Sequence, residues 1–173
     1  MNYKPIIVVA GEPNSIFLEI FFKAKKKYNF KKPIILIVSK KLLLEQMKKL
    51  KFNFEINDVD IKKLLLKQIK KLKFNFKIND FEKKKSLNLK NKNNIINIIN
   101  INYEFKKCFD KISRKSNAYI EKSFKIALKL LKKNKFSGLI NGPISKKNFL
   151  KKKFPGITEY LGNKEKSKVA MLI

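Results

Sequence analysis

The chain has 173 residues, which fits one domain or part of a larger protein and is ample for a hydrophobic core. Its apolar fraction of 44% is typical of a globular chain. The absence of any run of 18 apolar residues argues against a membrane span, and the N-terminal apolar run is too short for a secretory signal. Cys108 is the only cysteine, which excludes an internal disulfide. We expect Cys108 to be a small buried hydrophobic residue and the protein to be cytoplasmic.

The net charge of +30 suggests nucleic-acid binding, but the type of basic residue argues against it. All but one of the 43 basic residues are lysines, and the exception is Arg114. A surface that reads nucleic acid normally uses arginine for phosphates and guanine edges. Lysine, asparagine, isoleucine and phenylalanine are all abundant and all have AT-rich codons, so compositional drift explains the whole set. We therefore expect non-specific polyanion affinity and no specific nucleic-acid partner.

The first half of the chain alternates buried strands with amphipathic helices. Pro5–Ala10 and Pro33–Val38 are continuous apolar runs, as in buried parallel strands. Between them a helix is predicted over 15–28, with Asn14 or Ser15 as its N-cap. The side chains expected on its apolar face are Ile16, Ile20, Phe21 and Ala24.

A second helix is predicted over Lys41–Lys51 and is followed by a strand. Leu43, Met47 and Leu50 recur at helical spacing. After them Phe52, Phe54 and Ile56 alternate with polar residues at strand spacing. The order strand, helix, strand, helix, strand predicts an α/β fold with a mostly parallel sheet and flanking helices.

The chain then repeats itself. Residues 41–58 read KLLLEQMKKLKFNFEIND, and residues 63–80 read KLLLKQIKKLKFNFKIND. The two copies differ only at positions 45, 47 and 55 and their counterparts, which indicates a tandem duplication rather than a solenoid. One copy suffices for a helix and a strand, so we expect the other to be an insertion at a sheet edge or on the surface. The sequence does not indicate which copy is extra.

Further elements follow the repeat, and the chain stops within the last of them. They are a linker over 81–94, strands over 95–101, 136–140 and 169–173, and a long helix over 113–133. The apolar stripe expected on that helix is Ile120, Phe124, Ala127, Leu128 and Leu131. Because a domain rarely ends inside a strand, we expect further C-terminal sequence to be missing.

The residue types narrow the chemistry that the chain can perform. It has no histidine, which excludes a Ser-His-Asp triad, a Cys-His pair and a His-ligated zinc site made by this chain alone. Neither nucleotide-binding glycine fingerprint is present.

Three local motifs remain as candidates for a site. Gly11-Glu12-Pro13 follows the first strand, where open α/β sheets bind ligands. Gly142-Pro143 begins the second motif, in which Ser145 and Lys146 open a short helix suited to an anion. In the third motif, Gly156 to Tyr160, Thr158 could cap a helix. The carboxylate of Glu159 would then interact favourably with the positive end of that helix's dipole. An ordinary strand-to-helix turn explains the first motif better than a ligand site does, and solvated lysines explain the second as well as an anion site does.

In this order the motifs resemble the 4-hydroxythreonine-4-phosphate dehydrogenase family (PdxA) of pyridoxal phosphate (vitamin B6) biosynthesis. Family members carry Gly-Glu-Pro after an N-terminal strand, then Gly-Pro, two variable residues and Lys, then Gly-His-Thr-Glu-aromatic. The resemblance spans nearly the whole chain but only about the first half of a family member.

The resemblance implies the N-terminal portion of a two-domain fold like that of isocitrate and isopropylmalate dehydrogenases, with the C-terminal half absent. It implies an oxidoreductase that oxidises 4-phosphooxy-L-threonine, a small phosphorylated amino acid, with NAD or NADP. Family members are homodimers whose divalent metal is held by three histidines and polarises the substrate hydroxyl. Ser145 and Lys146 match positions that contact substrate.

The departures from the family concern the metal. The first metal-ligating histidine of the family falls at Ile157, whose side chain has no lone pair, and the other two belong to the half that this chain lacks. We therefore assign no catalytic or metal-binding residue, and expect this chain alone to be inactive and to bind neither cofactor nor metal. Two alternatives stay open: a non-catalytic basic α/β module that binds polyanions, and a divergent enzyme with a metal-free reaction on another hydroxy acid.

Overall fold

The computed structural model describes residues 3–60, 89–90 and 92–170. Within them the strands, in chain order, are β1 (Ile6–Val9), β2 (Ile34–Val38), β3 (Glu55–Asp58), β4 (Ile95–Asn100) and β5 (Gly138–Asn141). The helices are α1 (Phe17–Lys27), α2 (Lys40–Lys49), α3 (Asn117–Leu131) and α4 (Ile157–Glu165). A 3₁₀ turn, Arg114–Ser116, precedes α3, and a π-helical turn, Lys146–Leu150, follows β5.

The described strands form one sheet in the order β3-β4-β2-β1-β5, and every pair is parallel. This confirms the predicted α/β class. The chain moves from β1 to β2 on one side and returns to β5 on the other, so the order reverses beside β1. In sheets of this kind the crevice at the carboxyl ends of the two strands flanking that reversal is the usual ligand site. Here those strands are β1 and β5.

Strand alternation divides the core into two clusters, one on each face of the sheet. Ile7 and Val9 point to the face covered by α3, while Val8 and Ala10 point to the face covered by α1 and α2. The side chains of β2 and β4 divide in the same way. Both faces are covered, which explains why the inner strands are continuously apolar.

The first helix packs differently from the prediction. Ile16 and Ile20, predicted to face the core, are 64% and 54% exposed. The buried side chains are Leu18, Phe21, Phe22 and Lys25. Phe22 decides the orientation because it packs against Phe52 and Phe54, with ring centroids 5.3 and 5.8 Å apart. The predicted N-cap was also wrong: Ile16 occupies that position, and the Ser15 hydroxyl accepts from the amide of Phe17.

The second helix confirms its predicted face, since Leu43 and Met47 are buried and Leu50 packs against them. Ser39 caps it by accepting a hydrogen bond from the amide of Leu42. The first repeat copy, residues 41–58, therefore supplies α2 and the edge strand β3. The second copy, residues 63–80, lies outside the described residues.

The long helix begins later than predicted, at Asn117, because a 3₁₀ turn occupies the preceding residues. Ile120, Phe124 and Ala127 are buried as predicted, but the last turn buries Leu130 where Leu128 was expected. Cys108 is buried, as predicted. Val169 and Ala170 are exposed and lie outside any strand, which contradicts the start of the strand predicted over 169–173. No helix in the described ranges is long and apolar enough to cross a membrane.

Candidate functional site

The first two sequence motifs meet at the carboxyl ends of β1 and β5. The amide of Glu12 donates a 2.9 Å hydrogen bond to the carbonyl oxygen of Pro143, and the amide of Gly142 donates a 2.7 Å bond to the carbonyl oxygen of Val9. The two loops are thus joined through their backbones, although they lie about 130 residues apart in the sequence.

Both glycines are required by this close approach. Gly11 has a φ of +76°, in the left-handed region that favours glycine, and a Cβ there would collide with the carbonyl oxygen of Pro143. A Cβ on Gly142 would collide with the carbonyl group of Ala10. Because the obstacles are backbone atoms, a side chain at either position would force the two loops apart.

Glu12 lies beneath this edge and is only 3% exposed. One carboxylate oxygen accepts a 2.8 Å hydrogen bond from the hydroxyl of Ser116, and the other accepts from the amide of Asn14 at 3.3 Å. The Ser116 hydroxyl also lies 3.0 Å from the carbonyl oxygen of Ser113. Glu12 therefore fastens the loop after β1 to the start of α3, and its burial places it among structural groups rather than at an open surface.

Two tyrosines lie near Glu12 below the same edge. The Tyr119 hydroxyl accepts a hydrogen bond from the amide of Ser39, and burial raises its pKa far above the usual range. Burial and the negative charge of Glu12 also raise the pKa of Tyr103. Phenols are ordinarily neutral near pH 7, and the raised pKa values keep these two protonated further into the alkaline range, so they can serve as hydrogen-bonding groups but not as bases.

Ser145 and Lys146 begin the π-helical turn that follows β5. The Ser145 hydroxyl accepts a 3.1 Å hydrogen bond from the amide of Asn148, so this serine caps the turn. Lys146 is exposed and lines a shallow open cavity of about 710 Å³. The other residues lining that cavity are Lys147, Lys152, Phe154 and Pro155. Three lysines among the residues lining one cavity favour an anionic ligand.

The third motif packs beside this turn. Phe149 and Tyr160 make an edge-to-face contact with ring centroids 5.1 Å apart, and Phe154 makes another with Tyr160 at 5.6 Å. Gly156, not the predicted Thr158, is the N-cap of α4; Thr158 lies inside the helix. Glu159 lies in the first turn, as predicted, where a carboxylate interacts favourably with the positive end of the helix dipole.

Ile157 is the first residue of α4, is partly buried, and packs against the core cluster on the α3 face. Among the described residues, no group of three or more histidine, cysteine, aspartate or glutamate side chains could hold a metal ion. The donor set of the described chain therefore does not fit the metal that the family resemblance implies.

Sequence reasoning missed three contributors to this region. Ser116 was not singled out, because its link to Glu12 spans 104 residues and is made by tertiary packing. Lys152 was missed because lysine is too common in this chain to stand out. Phe154, which lines the same cavity, was missed as well. Aromatic residues at 149, 154 and 160 were the available signal that these loops share a packing centre.

The parallel sheet, with its joined loops at the β1 and β5 ends and an anion-favouring cavity nearby, defines an open α/β protein with a candidate ligand site at the carboxyl edge of the sheet. The chain belongs to the PdxA family: the family model described as "Pyridoxal phosphate biosynthetic protein PdxA" matches residues 29–173. That match contains the second and third motifs, while Gly11-Glu12-Pro13 precedes it.

Solved structures agree with this assignment at the level of fold. A 4-hydroxythreonine-4-phosphate dehydrogenase from Burkholderia phymatum superposes with a TM-score of 0.72 and 16% identity over 97% of this chain and 46% of its own. The enzyme from Klebsiella pneumoniae gives a TM-score of 0.67 and 16% identity over 93% of this chain and 44% of its own. The chain therefore spans less than half the length of these proteins. No curated protein sequence matches the chain.

Proposed function

We propose that this chain supplies the substrate-anchoring part of a site related to that of 4-hydroxythreonine-4-phosphate dehydrogenases. In this proposal Ser145 and Lys146 contact the anionic groups of 4-phosphooxy-L-threonine or a similar small phosphorylated hydroxy amino acid. The family membership of the chain and the motif order support the substrate class.

The observation that carries the proposal is the junction of the two glycine motifs. The hydrogen bonds between the loops fix the backbone that leads into Ser145, so the following lysine starts from a rigid position. Lys146 then shares its cavity with Lys147 and Lys152, which adds positive charge where a phosphate would lie. A backbone held by hydrogen bonds lowers the ordering cost of binding an anion, and the lysines that line the cavity add favourable charge.

The proposed role stops short of catalysis by this chain alone. Oxidation of a hydroxyl by a nicotinamide cofactor in this family requires a divalent metal, and Ile157 offers no donor at the expected ligand position. No dinucleotide fingerprint is present in the sequence either. In a full-length relative the metal would supply stabilisation of the developing oxyanion.

The proposal extends to the assembly in which the site works. We infer that the chain corresponds to the N-terminal portion of a two-domain, homodimeric, cytoplasmic enzyme, with residues from elsewhere completing the NAD or NADP site. The coverage of 46% of the Burkholderia phymatum enzyme supports this inference.

Two measurements test the proposal. The first is an activity assay of the purified chain with 4-phosphooxy-L-threonine, NAD or NADP and a divalent metal. It should give no appreciable reduced nicotinamide, and clear turnover would contradict the proposal that the chain alone is inactive.

The second is calorimetry, which should show binding of the phosphorylated substrate. This binding should weaken several-fold in Lys146→Ala but not in Lys125→Ala, a matched exposed lysine on α3. Equal affinity in both variants would remove Lys146 from the site.

A second candidate function, non-catalytic polyanion binding, is favoured by the net charge of +30 and by the exposed run Lys151, Lys152 and Lys153. A salt titration separates the two. Weak binding to DNA and RNA without preference for either form agrees with compositional drift. A steep log–log salt slope with preference for one nucleic-acid form would support a dedicated polyanion module.

A further inference from the structure

A second crevice lies at the carboxyl edge of the sheet, between β2 and β4. The last residues of these strands, Val38 and Asn100, are partners in the register, so both strands end at the same level. The chain leaves β2 for α2, which packs on one face of the sheet, and leaves β4 for α3, which packs on the other. Neighbouring strands whose connections leave toward opposite faces form a switch point, where open α/β sheets bind ligands. This crevice shares no strand with the one between β1 and β5.

The crevice contains an open cavity of about 400 Å³, a volume in the range of small-molecule sites. Its walls are formed by residues that directly follow the two strands. Among them are Lys40, Lys41 and Leu44 from the β2 side and Asn100, Asn102 and Tyr103 from the β4 side. The cavity therefore has cationic, amide and apolar groups on its walls.

Both walls of the cavity are held by contacts within the chain. The amide of Lys40 donates a 2.9 Å hydrogen bond to the side-chain oxygen of Asn100, which joins the two walls. On the β4 side, the ring of Tyr103 contacts the rings of Phe105 and Tyr119, with centroids 6.0 and 5.0 Å away. Because these groups are held before a ligand binds, the ordering cost of binding is lowered.

The two lysines of the cavity are only weakly paired. The Lys40 ammonium lies 3.6 Å from the Asp58 carboxylate, and the Lys41 ammonium lies 3.8 Å from the Glu104 carboxylate. All four side chains are 43% exposed or more, so solvent screens both pairs and each contributes little. Both lysines also lie in the first turn of α2, where the positive end of the helix dipole disfavours cations. An anion in the cavity would be favoured by all of these charges.

Ser39 adds a hydrogen-bond donor to the same cavity. It lines the cavity and is only 1% exposed. Its hydroxyl oxygen accepts from the amide of Leu42 at 3.3 Å, and its own amide donates to the Tyr119 hydroxyl at 3.2 Å. In the hydrogen bonds among residues 3–60, 89–90 and 92–170, the Ser39 hydroxyl acts only as an acceptor, so its proton is available to a ligand. A buried donor benefits from such a partner because leaving it unpaired costs free energy.

Leu44 and Tyr103 give the cavity an apolar side. Leu44 lies one turn after Lys40 on α2 and is 44% exposed. Burial raises the pKa of Tyr103, so its phenol adds no negative charge near pH 7. Two ammonium groups and one hydroxyl match a phosphomonoester, which carries a charge of about −2 and three acceptor oxygens, better than they match a carboxylate. The apolar side then suits an organic group attached to that phosphate.

We propose that the cavity between the carboxyl ends of β2 and β4 is a second ligand site, which binds a phosphomonoester with a small organic group. Lys40, Lys41 and the Ser39 hydroxyl bind the phosphate, and Leu44 and the Tyr103 ring contact the organic group. The site uses none of the residues assigned to the β5 edge, so it does not depend on the function proposed above.

Backbone amide NMR of the full chain, titrated with phenyl phosphate at physiological salt, tests this site. We expect saturating chemical-shift changes at the amides of Lys41, Asn102 and Tyr103. The affinity read from them should fall several-fold in Lys41→Gln and stay unchanged in Lys48→Gln, an exposed lysine of the same helix. The absence of saturating changes at these amides would overturn the proposal, and so would equal weakening in the two variants.

Two further probes separate the phosphate from the organic group. Inorganic phosphate and benzoate should each bind the cavity more weakly than phenyl phosphate, because each lacks one of the two parts. Leu44→Ala, at an exposed position, should weaken binding of phenyl phosphate but not of inorganic phosphate. A probe that binds as tightly as phenyl phosphate would overturn the assignment, as would a Leu44→Ala chain that loses affinity for both phosphates equally.

Discussion

The amide of Glu12 donates a 2.9 Å hydrogen bond to the carbonyl oxygen of Pro143, which joins the loop after the first strand to the loop after the last described strand. This contact is possible because β1 and β5 are neighbours in the sheet despite the length of chain between them. It turns two short glycine motifs into one structural unit at the carboxyl edge, from which the cavity-lining lysines extend.

The glycines at this junction should be sensitive to the smallest enlargement. Gly142→Ala and Gly11→Ala should each lower the free energy of unfolding by about 1–3 kcal/mol, because the added methyl group meets backbone carbonyl groups. Gly138→Ala is the matched control, since no atom lies within 4 Å of the added Cβ. Denaturant unfolding measures all three. A loss in Gly138→Ala as large as that in Gly142→Ala would refute the steric account.

The buried pair formed by Glu12 and Ser116 should be strongly coupled. Hydrogen bonds to a charged group contribute about 1.5–3 kcal/mol. A double-mutant cycle with Glu12→Gln and Ser116→Ala should therefore give a coupling energy of about 1 kcal/mol or more.

The exposed pair Glu19–Lys23, with a 2.6 Å contact on α1, provides the control cycle. Its coupling should be only about 0.3–0.5 kcal/mol, because solvent screens exposed ion pairs. Equal couplings in the two cycles would argue that Glu12 does not fasten the loop to α3.

Stability should fall in alkaline solution because burial raises the pKa of Tyr119 and of Tyr160. An unfolded tyrosine loses its proton near pH 10. The folded chain keeps that proton to higher pH, so the stabilisation is complete below about pH 10 and is lost as the pH rises toward the folded pKa. Lys25, whose pKa burial lowers, acts in the opposite direction.

Denaturant unfolding between pH 8 and 11 measures this dependence. Tyr119→Phe should reduce the alkaline slope, even though it also lowers stability at every pH by leaving the Ser39 amide without its acceptor. Tyr28→Phe, at an exposed tyrosine, is the matched control for loss of a phenol hydroxyl. An unaltered slope in Tyr119→Phe would show that the buried phenol does not govern it.

Restoring a histidine at position 157 should not by itself restore a metal site. Ile157→His replaces a partly buried residue and should cost about 1 kcal/mol of stability through lost apolar contact. A single histidine provides one ligand where tight zinc sites use three or four. Zinc should therefore change the unfolding midpoint of Ile157→His no more than that of Ile157→Val. A large zinc-dependent stabilisation of the histidine variant would reveal donors that the described residues do not supply.

Apolar patterning predicted the sheet well, because strands covered on both faces must be continuously apolar. It failed for α1, since two faces of that helix carry apolar side chains and local periodicity fits either. Contact of Phe22 with Phe52 and Phe54, 30 residues and more away, selects the face. Tertiary packing therefore decided what the local pattern left undetermined.

The site was predicted only in part, because some of its contacts also depend on tertiary packing. Glycine motifs marked the two loops, because close backbone approach restricts residue type strongly. Lysine abundance hid Lys152, and the Glu12–Ser116 contact depends on where α3 begins. That start was predicted several residues too early, since a 3₁₀ turn shares the polar composition of a helix end.

We propose that the β5 edge binds the phosphorylated substrate without a metal. Backbone amide NMR of the labelled chain, titrated with 4-phosphooxy-L-threonine in the presence of EDTA, detects such binding residue by residue. We predict chemical-shift changes that saturate and are centred on the Gly142, Ser145 and Lys146 amides. Absence of such changes, or their appearance only after a divalent metal replaces EDTA, would contradict the account.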